Sequence, residues 1–150
     1  MNKEFIPYEQ ALALKELGFN EPCFGWFRST LIPSNFTEFF LETEFGMNES
    51  PSDWVNSNFL DKACSAPLYQ QSFRWFREKQ NLKPDVTHAT SNGGYTYTIW
   101  KWNFDNNVGK WERIGVINSW MTYEEAQFEC LKKLIDIVKK QKEDESNIIV

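Results

Sequence analysis

The sequence predicts an α+β fold in which one antiparallel sheet of about five strands carries three helices. Three segments repeat apolar residues at the spacing of a helix, and five others are rich in aromatic and β-branched residues between turn signals. The chain has 150 residues, 41% of them hydrophobic, which is enough for one domain with its own core. We therefore expect a single α+β domain spanning residues 1–150.

The last helix has the clearest signal, because it opens with the capping box Thr122-Tyr-Glu-Glu125. In this motif the threonine hydroxyl accepts from the backbone of the glutamate, and the carboxylate accepts from the backbone of the threonine. Apolar residues then follow helical spacing to about Gln141, and they predict a core helix with a charged outer side. These apolar residues are Tyr123, Ala126, Cys130, Leu131, Leu134, Ile135, Ile137 and Val138.

Proline and glycine mark the other two helices. The first is expected to have Pro7 in its first turn and to stop at Gly18, while the second opens at Ala66-Pro67 and fades at Asn81. The predicted strands are 23–29, 36–41, 85–90, 94–103 and 110–119, with turns at Pro33-Ser-Asn35, Asn92-Gly93-Gly94 and Asp105–Gly109. Residues 43–60 lack a pattern and are the best candidate for a functional loop, held to the body by Trp54 and Phe59.

Charge divides the chain into two parts and a tail. Residues 1–61, an αββ part with the irregular loop, carry 10 acidic and 3 basic residues, whereas the αβββα part at 62–142 carries 8 acidic and 13 basic residues. Residues 143–150 have three acidic residues and are expected to form a flexible tail. An acidic part followed by a basic part indicates two faces, or a mutual docking of the two.

Aromatic and basic residues alternate between positions 74 and 113, and this is the one positive signal for binding. In the two central strands both faces carry large apolar groups, which two covering layers, or one covered and one binding face, would explain. Such residues could stack nucleic-acid bases, or the tryptophans could be core residues lined by basic side chains. The candidate interaction surface is Arg74, Trp75, Arg77, Trp100, Lys101, Trp102, Trp111 and Arg113.

Recognisable catalytic chemistry is missing from the sequence. It contains no GxSxG, P-loop or GxGxxG motif, and its only histidine, His88, lies in a predicted strand. Cys23, Cys64 and Cys130 are odd in number and far apart, which predicts free thiols in a reducing compartment, with Cys130 buried. We assign no catalytic, cofactor-binding or metal-binding residue, and a small hydrolase ranks third among the functions considered.

Two stretches, together with the Tyr123-Glu-Glu-Ala126 helix start, resemble a family of small uncharacterised proteins from Bacteroides-type bacteria and their phages. They are Ile6-Pro-Tyr-Glu-Gln-Ala-Leu-Ala-Leu-Lys-Glu-Leu-Gly-Phe19 and Ala66-Pro-Leu-Tyr-Gln-Gln-Ser-Phe-Arg-Trp-Phe-Arg-Glu-Lys79. The resemblance implies a phage or prophage accessory protein in a bacterial cytoplasm, and it implies no activity, cofactor or catalytic residue.

The order helix, three strands, helix at residues 66–141 is similar to the double-stranded-RNA-binding domain. That family contacts phosphates through a lysine-rich start of its last helix. Here Glu124 and Glu125 stand at that position, so the similarity covers the scaffold and not the phosphate site.

These observations favour a non-enzymatic accessory protein that binds a protein partner. The alternative is single-stranded nucleic-acid binding through the basic aromatic surface at 74–113. We expect no duplex nucleic acid as partner, because residues 1–61 and the helix start are acidic. We also expect no membrane association, since no apolar run approaches the length of a membrane span and no signal peptide is recognisable.

Overall fold

The computed structural model describes residues 2–31, 37–89, 93–105 and 108–148. The chain divides into two compact units, Met1–Leu68 and Tyr69–Val150, and each contains one three-stranded antiparallel sheet. The α+β class and the three α-helices are confirmed for the described residues, but the single sheet of about five strands is wrong. A sixth strand is present, and the strands form two sheets instead of one.

The first unit opens with helix α1, Tyr8–Glu16, which follows Pro7 and buries Ala11 and Leu14. Its end is a Schellman motif. The N–H of Gly18 donates to the carbonyl of Lys15 at 3.0 Å, and the N–H of Phe19 donates to the carbonyl of Leu14 at 2.9 Å. Gly18 has a φ of +98°, which glycine adopts without the strain of a side chain, so the predicted stop at this residue is confirmed.

The sheet of the first unit has the strand order β2-β1-β3. Strand β1, Trp26–Leu31, pairs with β2, Thr37–Glu42, and also with β3, Cys64–Ser65. The sequence did not predict β3, because two residues are too few to show a strand period and their pairing is non-local. The predicted turn at Pro33-Ser-Asn35 lies outside the described residues.

The connection after β2 is irregular, as predicted, with short 3-10 turns at Pro51–Asp53 and Asn56–Asn58. Trp54 is buried and stacks on Phe45 at 4.1 Å, while Phe59 stacks on Trp26 at 4.9 Å. Phe45 lies within the connection itself, but the carbonyl of Trp54 accepts from the N–H of Cys23 at 3.3 Å and Phe59 contacts Trp26 of β1, so both predicted aromatic residues hold the connection to the first unit.

Two polar side chains hold the same connection from inside. The buried Asn56 donates from Nδ2 to the carbonyl of Phe19 at 2.6 Å, and its Oδ1 accepts from the N–H of Ser65 at 2.9 Å. The Lys15 ammonium donates to three backbone carbonyls between 2.7 and 3.0 Å, those of Phe59, Asp61 and Ala63. Both contacts satisfy backbone groups that no strand or helix pairs.

The second unit contains α2, Tyr69–Lys79, then β4, Leu82–Ala89, β5, Gly94–Asp105, β6, Val108–Met121, and α3, Tyr123–Ile148. Helix α2 begins two residues after Pro67, later than predicted, because the Pro67 carbonyl accepts instead from the N–H of Ile6 at 3.0 Å. The predicted end at Asn81 is confirmed by its φ of 54°. The strand order is β4-β5-β6, and Pro84, which lacks an N–H, lies in an edge strand.

The capping box of α3 is confirmed, since the N–H of Glu125 donates to Thr122 Oγ1 at 3.2 Å and the N–H of Thr122 donates to Glu125 Oε2 at 2.9 Å. The helix continues to Ile148, so most of the predicted tail is helical. No proline or glycine follows Gln141, and lysines lie four residues before Glu143 and Asp144. The buried stripe is Ala126, Cys130, Leu131, Leu134, Ile135 and Val138. No helix in the described part of the chain is long and apolar enough to cross a membrane.

Candidate interaction surface

Helices α2 and α3 pack against one face of the sheet of the second unit. Helix α3 contacts β4 and β5, and α2 contacts β4. The residues buried on this helix face are Leu82, Pro84, Tyr97 and Ile99. Tyr97 is buried beneath α3, and this burial raises its pKa to about 12, with smaller contributions from Cys130 and Glu129 of the same helix.

Side chains alternate between the two faces of a strand, and residues directly opposite each other on paired strands share a face. The pairs Lys83↔Trp100, Trp100↔Arg113 and Trp102↔Trp111 therefore place these residues on the other side of the sheet. We call this side the outer face. Its described side chains are Lys83, Asp85, Thr87, Ala89, Thr96, Thr98, Trp100, Trp102, Trp111 and Arg113, all of them half-buried or exposed.

Trp102 and Trp111 form the centre of the exposed aromatic area. Their rings are 5.2 Å apart at an interplanar angle of 62°, which is an edge-to-face contact, and they are 39% and 41% exposed. The N–H of Trp102 donates to the Asn81 carbonyl at 3.1 Å, so its backbone groups point towards β4 and not towards β6. Trp102↔Trp111 is therefore a non-hydrogen-bonded pair, the type that brings opposite side chains closest.

Gly109 lies beneath the Trp102 ring. A Cβ atom at Gly109 would overlap Cζ2 and neighbouring atoms of the indole, so only glycine allows the ring to take this position. The indole covers the glycine diagonally across the strand pair, an arrangement known to strengthen sheets at glycine positions. The sequence suggested a turn here but not this contact.

Two cations lie beside Trp100 on the outer face. Arg113 is directly opposite it on β6 and Lys83 is directly opposite it on β4. Lys83 also forms a 3.4 Å ion pair with Asp85, which neutralises part of its charge. The outer face is consequently an aromatic area with one positive side chain and one paired side chain beside it.

The residues at the same end of the sheet but on its other side are polar. Lys110 Nζ lies 2.9 Å from Glu112 Oε1, and Asn103 donates to the second carboxylate oxygen of Glu112. The hydrogen bonds from Lys110 and then Asn103 hold the pKa of Glu112 below its usual range. Lys101, directly opposite Glu112, belongs to this polar side.

The structure brings together four of the eight predicted surface residues, Trp100, Trp102, Trp111 and Arg113. Lys101 points to the opposite side, because it alternates with its neighbours along β5. Trp75 is buried, with 4% of its surface exposed, so it is a core residue and not part of a surface. Arg74 and Arg77 are exposed on α2, the helix that contacts β4 on the helix face.

His88 is exposed at the edge of the sheet, where it makes an edge-to-face contact with Tyr95 at 5.4 Å. Tyr95 makes a similar contact with Tyr123, also at 5.4 Å. An open depression beside these rings is lined by Gly93, Gly94, Tyr95, Thr122, Tyr123, Glu124 and Glu125. The two carboxylates at the helix start disfavour an anionic ligand there, and Glu125 is engaged in the capping box.

The cysteines are inert by position. All three are free and Cys130 is buried, as the sequence predicted, and Cys23 and Cys64 are buried as well. Burial raises the pKa of Cys64 to about 12 although Lys15 acts in the opposite direction, and burial also raises the pKa of Cys130. A thiol in this state is not a ready nucleophile. Within the described ranges, no three His, Cys, Asp or Glu side chains are arranged to hold a metal ion.

Comparison with known proteins identifies no relative for this chain. No family model matches it, and neither the curated proteins nor the solved structures contain a match. Function must therefore be argued from the geometry of the chain itself.

Proposed function

We propose that this chain is a non-catalytic binding protein that recognises a protein partner through the outer face of the β4-β5-β6 sheet. The observation that carries this proposal is the exposed and preorganised pair of Trp102 and Trp111, with Trp100 and Arg113 beside it. Tryptophan and arginine are the residues most enriched at the energetic centres of protein interfaces. Rings that are already fixed in position lose little side-chain entropy when a partner binds.

The distribution of positive charge favours protein over nucleic acid as the partner. Binding to phosphates requires several cations on one surface. Here Arg113 and the ion-paired Lys83 lie on the outer face, Lys101 and Lys110 lie on the opposite side of the strands, and Arg74 and Arg77 lie on α2. The matching partner is a protein surface with an apolar centre for the indoles and a carboxylate for Arg113.

The setting we propose is that of a phage or prophage accessory protein in a bacterial cytoplasm, which rests on the resemblance noted in the sequence. Affinity capture from such a host, followed by mass spectrometry, tests the proposed function. The wild type should retain a partner that Trp102→Ala and Arg113→Ala each lose, while the control Arg77→Ala, exposed on α2, should retain it. If all four proteins capture the same set, the outer face is not the binding surface.

Single-stranded nucleic acid is the second candidate, because bases can stack on exposed tryptophans without many phosphate contacts. Fluorescence anisotropy with labelled oligomers separates the two functions. We predict no duplex binding tighter than about 10 µM at physiological salt, the range of non-specific association. Sub-micromolar duplex binding would contradict our proposal, and single-strand binding that Trp102→Ala abolishes would favour the second candidate.

A further inference from the structure

Strand β6 is an edge strand of the sheet of the second unit. It lies at the end of the order β4-β5-β6, and no strand among the described residues pairs with its other side. The backbone groups of Trp102 point to β4, so those of Trp111, its non-hydrogen-bonded partner, point away from β5 towards the open edge. By alternation, the same holds for Gly109 and Arg113. Such an edge is a template for another strand.

Only a short part of this edge is regular. Trp100 pairs with Arg113, but Ile99 pairs with Gly115, so Ile114 is an extra residue that forms a bulge. A bulge bends the strand and interrupts pairing. The regular stretch is therefore Val108–Arg113, between the hairpin connection and the bulge. The opposite edge, β4, contains Pro84, whereas this stretch contains no proline.

We propose that Val108–Arg113 pairs antiparallel with the same stretch of a second copy of this chain. The two-fold axis passes between the two copies of Trp111, which lie directly opposite each other. In a symmetric dimer, if one residue of the first copy is opposite a given residue of the second copy, the reverse pair must also form. Outward-pointing backbone groups must also face outward-pointing groups of the other copy. The axis must therefore lie level with a residue, so that this residue is opposite its own copy, and not midway between two consecutive residues. Within the regular stretch, the axis positions that pair at least two outward-pointing residues of each copy are those at Lys110, Trp111 and Glu112.

Charge selects one of these three registers. An axis at Lys110 places Lys110 opposite itself, and an axis at Glu112 places Glu112 opposite itself, and like charges directly opposite each other destabilise a strand pair. An axis at Trp111 places Lys110 of each copy opposite Glu112 of the other, so two attractive pairs form. The Lys110 and Glu112 side chains are 58% and 44% exposed, so exchanging their ion pair within one chain for pairs between chains costs little.

The same register extends the outer face. Trp111 of the second copy comes directly beside Trp111, which turns two edge-to-face indole pairs into a continuous row of four. Arg113 comes opposite Gly109 of the second copy, and therefore beside the Trp102 indole that covers this glycine. Each copy thus contributes aromatic surface to the other. This inference does not depend on the proposed function, since its charged pairs lie on the opposite side of the strands from Trp102.

Charge reversal tests both the dimer and its register. In a sedimentation-velocity dilution series from about 1 to 100 µM, which spans a micromolar Kd and so measures it, the wild type should be dimeric at the highest concentrations. Lys110→Glu and Glu112→Lys should each weaken dimerisation roughly tenfold or more, because each reversal creates two like-charged pairs. An equimolar mixture of the two variants should form a heterodimer, because the two carboxylates of the Lys110→Glu chain then face the two ammonium groups of the Glu112→Lys chain.

Two further proteins complete the experiment. The double variant Lys110→Glu with Glu112→Lys should dimerise like the wild type, and Lys79→Glu, a reversal at the exposed end of α2, should have no effect. Far-UV circular dichroism confirms that each variant is folded. A monomeric wild type would overturn the proposal. So would a Kd that neither single reversal raises, or a mixture of the two variants that dimerises no more tightly than either variant alone.

Discussion

The contact between Gly109 and Trp102 predicts that the effect of Gly109→Ala on stability depends on whether the Trp102 ring is present. In Gly109→Ala the new Cβ would overlap the indole, so the ring must leave its place against Trp111. The lost edge-to-face contact costs about 0.5–1.5 kcal/mol, and crowding adds about 1 kcal/mol. Replacing glycine within a strand regains about 0.5–1 kcal/mol of backbone entropy. We therefore expect a net destabilisation of about 1 kcal/mol.

A double-mutant cycle isolates this effect. In a Trp102→Ala background there is no ring to displace, so Gly109→Ala should stabilise by about 0.5–1 kcal/mol through the entropy term alone. Urea unfolding of the wild type, both single variants and the double variant should then give a coupling energy of about 1.5–2 kcal/mol. Equal effects of Gly109→Ala in both backgrounds would show that the indole does not lie over Gly109.

Three further predictions concern packing within each of the two units. Leu134→Ala, at a fully buried position of α3, should lower the free energy of unfolding by about 2–5 kcal/mol, while Lys133→Ala on the exposed side should change it by less than about 0.5 kcal/mol in urea melts. Asn56→Ala should cost about 2–4 kcal/mol because it removes two buried hydrogen bonds to the backbone, and Asn58→Ala, at an exposed site, should cost less than about 1 kcal/mol. Cys23, Cys64 and Cys130 should react with a thiol reagent only after denaturation, and fast labelling of the native protein would contradict their burial.

The elements that could be predicted are those whose signals are local. The capping box at Thr122 and the stop at Gly18 each depend on a few consecutive residues and their backbone groups, so the sequence shows them directly. The end of α3 was misplaced because no local signal marks it. The segment after Gln141 loses its apolar residues, but it contains no helix-breaking residue, and charged side chains can continue a helix in solvent.

The two sheets could not be predicted because their separation depends on non-local pairing. Strand β3 has two residues, and its partner β1 lies more than thirty positions earlier. The hydrogen bonds of Asn56 are equally non-local, because one side chain joins Phe19, just after α1, to Ser65 of β3. A buried asparagine within a polar, irregular stretch looks like any other loop residue until its partners are known.

The structure brings together half of the predicted surface residues, and the half that it separates bears on the proposed function. The sequence grouped basic and aromatic residues by their nearness along the chain, which is how a nucleic-acid surface is first suspected. Folding separates them twice. Strand alternation places Trp100 and Trp102 on one side of the sheet and Lys101 on the other. On α2, Trp75 is buried, whereas Arg74 and Arg77 are exposed on the helix and not on the outer face. What remains together is an aromatic area with Arg113 and little net charge. That composition suits the apolar centre of a protein interface better than a phosphate backbone, which needs its cations on one surface.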